Sequence, residues 1–265
     1  MNAVNRKLPA GFTLLELLIV VAIISLLISI LYPAGMAAWR LAQRMRCGTH
    51  LRSITLACRT YAAEHKGRWP NAFTRESTRA DELPAEPNPA VGLRGANTED
   101  DTRGTDNKEA VVNSNSASLW LLVSGGYVPA QIFLCPAAGD TPDNIRNPKE
   151  VRDFLSRQHC SYSYQCRLGN RRILDTWKLA VAADRSPFFD PHQATDNPEA
   201  NSFNHEGDGQ NVAFADGHVD WTTKACCDET GDWFYRAWTA ANDETPDEIP
   251  GPEAAPRSDL DALLR

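Results

Sequence analysis

The first pattern in the chain is a continuous apolar stretch close to the N-terminus. Residues 12–32 are apolar or small with few exceptions, and Glu16 is the only charged side chain among them. As an α-helix this stretch would extend about 30 Å, which matches the hydrocarbon thickness of a bilayer. The pattern therefore predicts a membrane-spanning helix over residues 12–33.

Two other interpretations of the apolar stretch are open. A soluble protein could bury it as a core helix, but the length of the unbroken stretch argues against this. A secretory signal peptide also has a basic start, here Arg6 and Lys7, before an apolar segment, and Gly35-Met36-Ala37 could form its cleavage site. An acid inside the apolar segment is unfavourable for a signal peptide. We therefore favour an N-terminus that stays in the membrane.

Glu16 is the unusual residue of this segment. An isolated carboxylate in hydrocarbon costs roughly 2.5 kcal/mol or more, so such residues tend to be paired and functional. The predicted helix contains no Lys or Arg that could pair with it. We therefore expect the partner of Glu16 to come from outside this helix.

A helical pattern continues beyond the apolar stretch, over residues 34–66. The "HKGRWP" segment is expected to end it, because Gly67 suits a C-cap and Pro70 prevents the helix from resuming. Arginines between the apolar positions predict a solvated face, with contact to lipid headgroups as the alternative. The apolar stripe itself needs a partner surface, and its members are Leu41, Met45, Leu51, Ile54, Cys58 and Tyr61.

The rest of the chain predicts a mixed α and β region over residues 67–240. Within it, "ASLWLLVSGGYVP" indicates a short helix ended by two glycines, and "KLAVAAD" indicates a strand. Residues 74–116 are rich in charge, Pro, Gly and Asn, and predict a disordered surface insertion. The acidic, proline-rich residues 241–265 predict a disordered tail.

A β-hairpin is predicted within "QNVAFADGHVDW". The "NVAF" and "HVDW" stretches read as strands, and Asp216-Gly217 between them is a strong turn signal. We expect a type I′ turn, which needs positive φ at both central positions.

The same region offers a sharper alternative, a metal site. Imidazoles and carboxylates could hold calcium or zinc, and His205, Asp208, Asp216 and His218 are the candidates. They lack helical spacing, so we expect no bound metal or other cofactor. The chain also has no nucleophile elbow, phosphate-binding loop, dinucleotide fingerprint or HExxH motif, so we expect no enzyme.

Charge and cysteine content narrow the class of protein and the compartment in which it folds. The net charge of −7 argues against a nucleic-acid-binding protein. Residues 34–70 carry seven Lys or Arg, more than the two in front of the apolar stretch, which by the positive-inside rule disfavours an exported C-terminal part. Seven cysteines suit an oxidising compartment, and we expect Cys135 to bridge to either Cys160 or Cys166.

The segment "KLPAGFTLLELLIVVAIISLL" resembles the N-terminal signature of type IV pilins and type II secretion pseudopilins. The resemblance implies that prepilin peptidase cuts between Gly11 and Phe12, after the leader 1–11, and methylates the new amino group of Phe12. It further implies that this amino group neutralises Glu16 of a neighbouring subunit, and that Pro33 kinks the helix. The fold implied is α+β and pilin-like, with the long helix packed on a small antiparallel sheet.

Localisation and partners also follow from the resemblance. It implies a single-pass protein of the bacterial inner membrane, with a cytoplasmic leader and an exported head. The partners implied are prepilin peptidase, other pilin or pseudopilin subunits and the lipid bilayer, without nucleic acid. The function implied is that of a structural subunit. The alternatives are a membrane-anchored exported binding protein that does not polymerise and a metal-dependent exported enzyme.

A narrower resemblance involves four blocks of sequence. Residues 46–70, 125–137, 161–164 and 204–221 look like successive parts of a bacterial group of pilin-like proteins marked by a His followed by an Asp-Gly pair. Nine residues usually separate the two elements, whereas ten separate His205 from Asp216. The extra residue lies in "EGDGQ", which puts any fixed geometry between His205 and Asp216 in doubt.

Overall fold

The computed structural model describes residues 13–71, 115–142, 147–150, 153–154, 156–165, 179–190, 192–193, 195, 197, 199–225 and 234–235. The predicted leader, the Gly11–Phe12 cleavage site, nearly all of the 74–116 insertion, the 241–265 tail and Cys166 lie outside the described residues. The chain divides into two compact units, Met1–Ala42 and Gln43–Arg265.

One long helix, α1, spans Leu14–Glu64 and continues through Pro33. In the first unit its large apolar side chains are exposed; Leu14 is 81% exposed and Leu31 is 67% exposed. By length and composition this part of the helix can cross a membrane. The predicted long helix is confirmed, while the kink at Pro33 stays a prediction.

The C-terminal end of α1 lies close to where the sequence placed it. Lys66 takes a left-handed conformation with φ 59°, and the Gly67 amide donates to the Ala62 carbonyl at 2.7 Å. This is the hydrogen bond of a Schellman motif, with Lys66 as the left-handed residue. Gly67 follows it at φ 78° and carries the chain away from the helix axis.

Only part of the predicted apolar stripe of α1 is buried. The buried face begins at Cys47 and includes Leu51 and Ile54, whereas Leu41 and Met45 are 57% and 67% exposed. Met45 precedes Cys47 by two residues, which on an α-helix turns its side chain about 160° away. The sequence pattern had therefore joined two different faces of the helix.

The described residues of the second unit include one antiparallel sheet of four strands. The strands are β1 (Tyr162–Tyr164), β2 (Ala180–Asp184), β3 (Gln210–Phe214) and β4 (Val219–Thr222), in the order β1-β2-β3-β4. The C-terminal part of α1 packs against this sheet. Gly48 permits the close approach, because a Cβ there would lie 3.2 Å from Asn211 Oδ1 on β3. The α+β architecture is thus the predicted one, a long helix on a small antiparallel sheet.

A second helix, α2, spans Asn115–Ser124 and ends before the predicted glycine pair. Its Trp120 makes an edge-to-face contact with Phe154, whose ring also meets Phe133 edge to face, with centroids 4.8 and 5.2 Å apart. Such aromatic pairs stabilise the fold by more than the burial of their surface alone would give. Five short 3-10 turns connect the described elements, at Ala130–Phe133, Pro148–Glu150, Arg157–His159, Pro187–Phe189 and Phe203–His205.

The β3–β4 hairpin is present, but its turn differs from the predicted type. Phe214 pairs with His218, since the Phe214 amide donates to the His218 carbonyl at 3.0 Å, so the loop has three residues, 215–217. Gly217 has φ 99°, whereas Asp216 does not have positive φ. The type I′ prediction is therefore wrong. A three-residue loop needs a left-handed residue only at its last position, and Gly217 provides it.

The "EGDGQ" segment before β3 combines two kinds of glycine. Gly207 has φ 80° and open space where a Cβ would project. Gly209 has φ 154°, and a Cβ there would lie 2.3 Å from the backbone carbonyl oxygen of Thr222 and 2.8 Å from the Trp221 ring. Gly207 thus serves the turn, and Gly209 serves the contact between β3 and β4.

Substitution of the two glycines should separate these roles. Gly207→Ala should lower the free energy of unfolding by about 1 kcal/mol, the cost of a left-handed alanine. Gly209→Ala should lower it considerably more, because β4 must also move. Urea unfolding of the full chain in mild detergent, followed by tryptophan fluorescence, measures both changes. Equal losses for the two variants would contradict the close strand contact.

Candidate functional site

The N-terminal end of α1 contains a capping box formed by Thr13 and Glu16. The Thr13 amide and hydroxyl donate to Glu16 Oε2 at 2.9 and 2.8 Å, and the Glu16 amide donates to Thr13 Oγ1 at 3.2 Å. A Thr at the N-cap with a Glu three residues later satisfies amides that a helix start leaves unpaired. Glu16 therefore has a local partner that the sequence analysis missed, although the Thr-x-x-Glu spacing was readable.

In the second unit, Gln43–Arg265, which we call the head, four side chains from distant parts of the sequence meet. Cys47 lies on α1, Cys135 follows the Ala130–Phe133 turn, Asp184 ends β2, and His205 ends the Phe203–His205 turn. Their ligand atoms all lie within 4.8 Å of one another, and all four residues are buried. We call this group the Cys-Cys-Asp-His cluster.

The contacts inside the cluster are short. The Cys47 thiol donates to Asp184 Oδ1 at 3.0 Å. His205 Nε2 lies 3.4 Å from Asp184 Oδ2 and 3.7 Å from Cys135 Sγ. The cluster thus brings two thiols, one imidazole and one carboxylate to a single buried point.

Further polar groups hold the Asp184 carboxylate in place. Asn211 donates to Asp184 Oδ2 through its backbone amide at 2.7 Å and its side-chain amide at 3.1 Å. Asn204 Nδ2 donates to Asp184 Oδ1 at 3.1 Å. The Tyr162 hydroxyl lies 3.1 Å from Cys47 Sγ. The carboxylate is therefore fixed from β3 and from the Phe203–His205 turn.

Burial and mutual contacts shift the pKa values within the cluster. Burial raises the pKa of the Cys47 thiol well above its ordinary value. Burial also opposes ionisation of Cys135, but hydrogen bonds to Cys47 and His205 outweigh it and lower the pKa of Cys135 to about 7. Burial disfavours a charged His205, yet its hydrogen bonds to Asp184 and Cys135 raise the pKa of His205 to about 9. The cluster therefore favours negative charge on the Cys135 sulfur and positive charge on His205, while the Cys47 thiol keeps its proton.

The four metal candidates from the sequence do not form one site. His205 belongs to the buried cluster. Asp208 forms an ion pair with Arg44, and Asp216 pairs with His218 at the exposed hairpin tip. Sequence reasoning missed Cys47, Cys135 and Asp184 as neighbours of His205. One signal was available for Asp184, because it ends a strand that otherwise reads as buried.

The Cys135–Cys160 bridge expected from the sequence is absent. Cys47, Cys58, Cys135 and Cys160 are free, buried thiols in the described part of the chain. The Cys160 thiol donates to the Tyr162 carbonyl at 3.3 Å, whereas Cys135 Sγ faces His205. The two sulfurs thus have separate partners. Cys166, the other predicted disulfide partner of Cys135, lies outside the described residues.

Arginines of α1 bind the β3–β4 hairpin instead of forming a purely solvated face. Arg44 pairs with Asp208, and its guanidinium lies 4.3 Å from the centroid of the Trp221 ring. Arg59 donates to the Asp216 carbonyl oxygen at 2.6 Å. These contacts secure the helix to β4 and to the hairpin tip. Contact of the other arginines with lipid headgroups stays a prediction.

Comparison with known proteins adds one finding at the N-terminus. A family model described as the prokaryotic N-terminal methylation motif matches residues 6–32. No curated protein and no solved structure matches the chain significantly. The motif confirms the prepilin-type signal predicted from the sequence, and together with the apolar helix it supports a membrane-anchored, single-pass chain. The resemblance of the C-terminal His and Asp-Gly signature stays a prediction.

The Arg44 contacts predict a measurable contribution to stability. Arg44→Ala should lower the free energy of unfolding by about 1 kcal/mol, because a partly exposed ion pair and a cation–π contact are both lost. Arg52→Ala removes an exposed arginine of the same helix and should change it by less than about 0.5 kcal/mol. Urea unfolding of the full-length variants in detergent measures the difference. Indistinguishable values would show that the contacts contribute nothing.

Proposed function

We propose that the chain is a structural subunit of a type II secretion pseudopilus or a related type IV pilus-like assembly. The match of residues 6–32 to the N-terminal methylation motif carries this proposal. The long helix and the small antiparallel sheet are consistent with it, because a pilin-like subunit combines these two parts.

In this proposal, prepilin peptidase removes residues 1–11 and methylates the amino group of Phe12. The new α-amino group is positive and lies four residues before Glu16 in the sequence. In a membrane, an unpaired carboxylate is costly, and a cation from a neighbouring copy removes that cost. Assembly would therefore be driven in part by pairing Glu16 of one subunit with Phe12 of the next.

The capping box does not compete with this role. The two hydrogen bonds that Glu16 accepts from Thr13 both use Oε2, and a carboxylate offers a second oxygen to a partner. Cleavage between Gly11 and Phe12 also leaves the Thr13 amide in the chain. One side chain can thus start the helix and bind a neighbour.

We further propose an inner-membrane location with the leader in the cytoplasm and the head exported. This orientation follows from the need of the peptidase for a cytoplasmic leader, and it opposes the charge bias, since seven basic residues lie within 34–70. The rival proposal keeps the N-terminus only as an anchor for an exported binding protein that does not polymerise.

Processing gives the first prediction for this proposal. Mass spectrometry of the protein isolated from membranes should find N-methylated Phe12 as the first residue. A mature chain that begins near Ala38 would instead indicate an ordinary secreted protein. A chain that retains residues 1–11 would also contradict the proposal.

Variants of the capping box separate the charge of Glu16 from its local role. Glu16→Gln can still accept from Thr13 but cannot neutralise an amino group, so crosslinking between two differently tagged copies in membranes should fall more than tenfold. Thr13→Ala weakens the capping box and keeps the charge, so its crosslinking should stay near that of the wild type. Cleavage after Gly11 serves as the control and should persist in both variants.

The opposite pattern would overturn the assembly role of Glu16. If Glu16→Gln crosslinks like the wild type while Thr13→Ala fails, the carboxylate acts through the helix start alone. If both variants crosslink like the wild type, the copies associate without the charge of Glu16. If none of the proteins crosslinks, the wild type included, the anchor without polymerisation is favoured.

A further inference from the structure

We propose that the Cys-Cys-Asp-His cluster is a structural zinc site that joins α1 to the sheet. This site lies in the head, and it does not depend on the assembly function proposed for the N-terminal helix. None of the four metal candidates from the sequence except His205 belongs to it.

The donor set is the first argument. Two thiolates, one imidazole and one carboxylate are ligand types that Zn²⁺ takes in four-coordinate protein sites. Thiolate ligands disfavour calcium and magnesium, which prefer oxygen. The identity of the side chains therefore selects zinc over the calcium that the sequence also left open.

The geometry is the second argument. Zinc–ligand bonds of 2.0–2.3 Å place neighbouring ligand atoms of a tetrahedron about 3.3–3.8 Å apart. The Cys135–His205 and His205–Asp184 separations of 3.7 and 3.4 Å fall in this range, and the Cys47–Asp184 separation is 3.0 Å. The widest separation in the cluster, within 4.8 Å, needs to close by about 1 Å.

The surrounding hydrogen bonds are the third argument. Metal-ligating carboxylates are commonly held by further donors, and Asn204 and Asn211 donate to Asp184 from two sides. The Tyr162 hydroxyl lies beside the Cys47 sulfur and can donate to a thiolate there. These neutral donors suit the excess negative charge of a site with two thiolates and one carboxylate around one Zn²⁺.

Binding changes the protonation of the cluster in a defined way. Zn²⁺ replaces the protons of the Cys47 and Cys135 thiols, and these protons leave to solvent. His205 binds as the neutral imidazole through Nε2, the nitrogen that faces Asp184 and Cys135, so the Nε2 proton of its imidazolium form also leaves to solvent. With the Asp184 carboxylate, the bound site carries one net negative charge.

The site has four protein ligands and leaves no open position, so its role is structural and not catalytic. Its ligands come from α1, from the segment after the Ala130–Phe133 turn, from β2 and from the Phe203–His205 turn. One ion would thus fix four segments that are far apart in the sequence. Bound zinc would also keep Cys47 and Cys135 from forming a disulfide in an oxidising compartment.

Metal content of the full-length protein tests the proposal. The protein is isolated from membranes in mild detergent without chelators, and its zinc content is measured by inductively coupled plasma mass spectrometry. We expect about one zinc per chain in the wild type. Cys47→Ala and His205→Ala should each lose at least 90% of it. Cys58→Ala removes a buried free thiol of the same helix outside the cluster and should keep it.

A second measurement keeps the proposal testable if the cluster variants do not fold. Wild-type protein stripped with a chelator and given cobalt(II) should show the absorption of thiolate-bound cobalt, and Cys58→Ala should show it equally. Re-addition of zinc should abolish this signal and raise the thermal midpoint that chelation lowered.

Two results would overturn the zinc site. One is wild-type protein that contains no zinc and gives no thiolate–cobalt absorption. The other is a Cys47–Cys135 disulfide, found by alkylating the freshly isolated protein under denaturing conditions before any reduction and mapping the unmodified cysteines.

Discussion

The arrangement of the head depends on the interactions of one fully buried carboxylate, that of Asp184. A carboxylate taken out of water costs several kcal/mol unless other charges and donors replace the solvent. Here the groups that replace water around Asp184 come from three segments. Cys47 lies on α1 and Asn211 on β3, while Asn204 and His205 lie in the Phe203–His205 turn. The Tyr235 hydroxyl also donates to the Asp184 backbone carbonyl at 2.7 Å. These segments must be in place together, so the charge makes their assembly cooperative.

Local patterns were sufficient to predict much of the fold. The apolar stretch predicted α1, the Asp216-Gly217 turn signal between two short stretches predicted β3 and β4, and the glycine pair predicted the end of α2. Details that depend on register were not predictable. Asp216-Gly217 is compatible with two turn types, and the pairing of Phe214 with His218 decides between them. Similarly, Met45 fits a helical stripe by spacing, but only the position of the sheet decides which face of α1 is buried.

The candidate site could not be predicted because its members are far apart along the chain. Its residues lie at 47, 135, 184 and 205, and no spacing rule connects them. Cysteine can also form a disulfide or bind a metal. Because the cysteine content suggested an oxidising compartment, we predicted a disulfide from Cys135, whereas in the structure this thiol faces His205. By contrast, the capping box at Thr13 and Glu16 follows from a short motif and was within reach of the sequence alone.

Cys47 has a mechanical consequence for the molecule. It is the first fully buried residue of α1, and its thiol is bonded to Asp184 at the end of β2. Strand β2 is paired on both sides, with β1 and with β3. Tension applied along the helix from its N-terminal end would therefore enter the interior of the head at a central strand and be shared by two ladders. With Cys47 attached to a central strand in addition to the Arg44 contact with the edge strand β4, the head should resist pulling better than with the edge contact alone, because an edge strand can separate one hydrogen bond at a time.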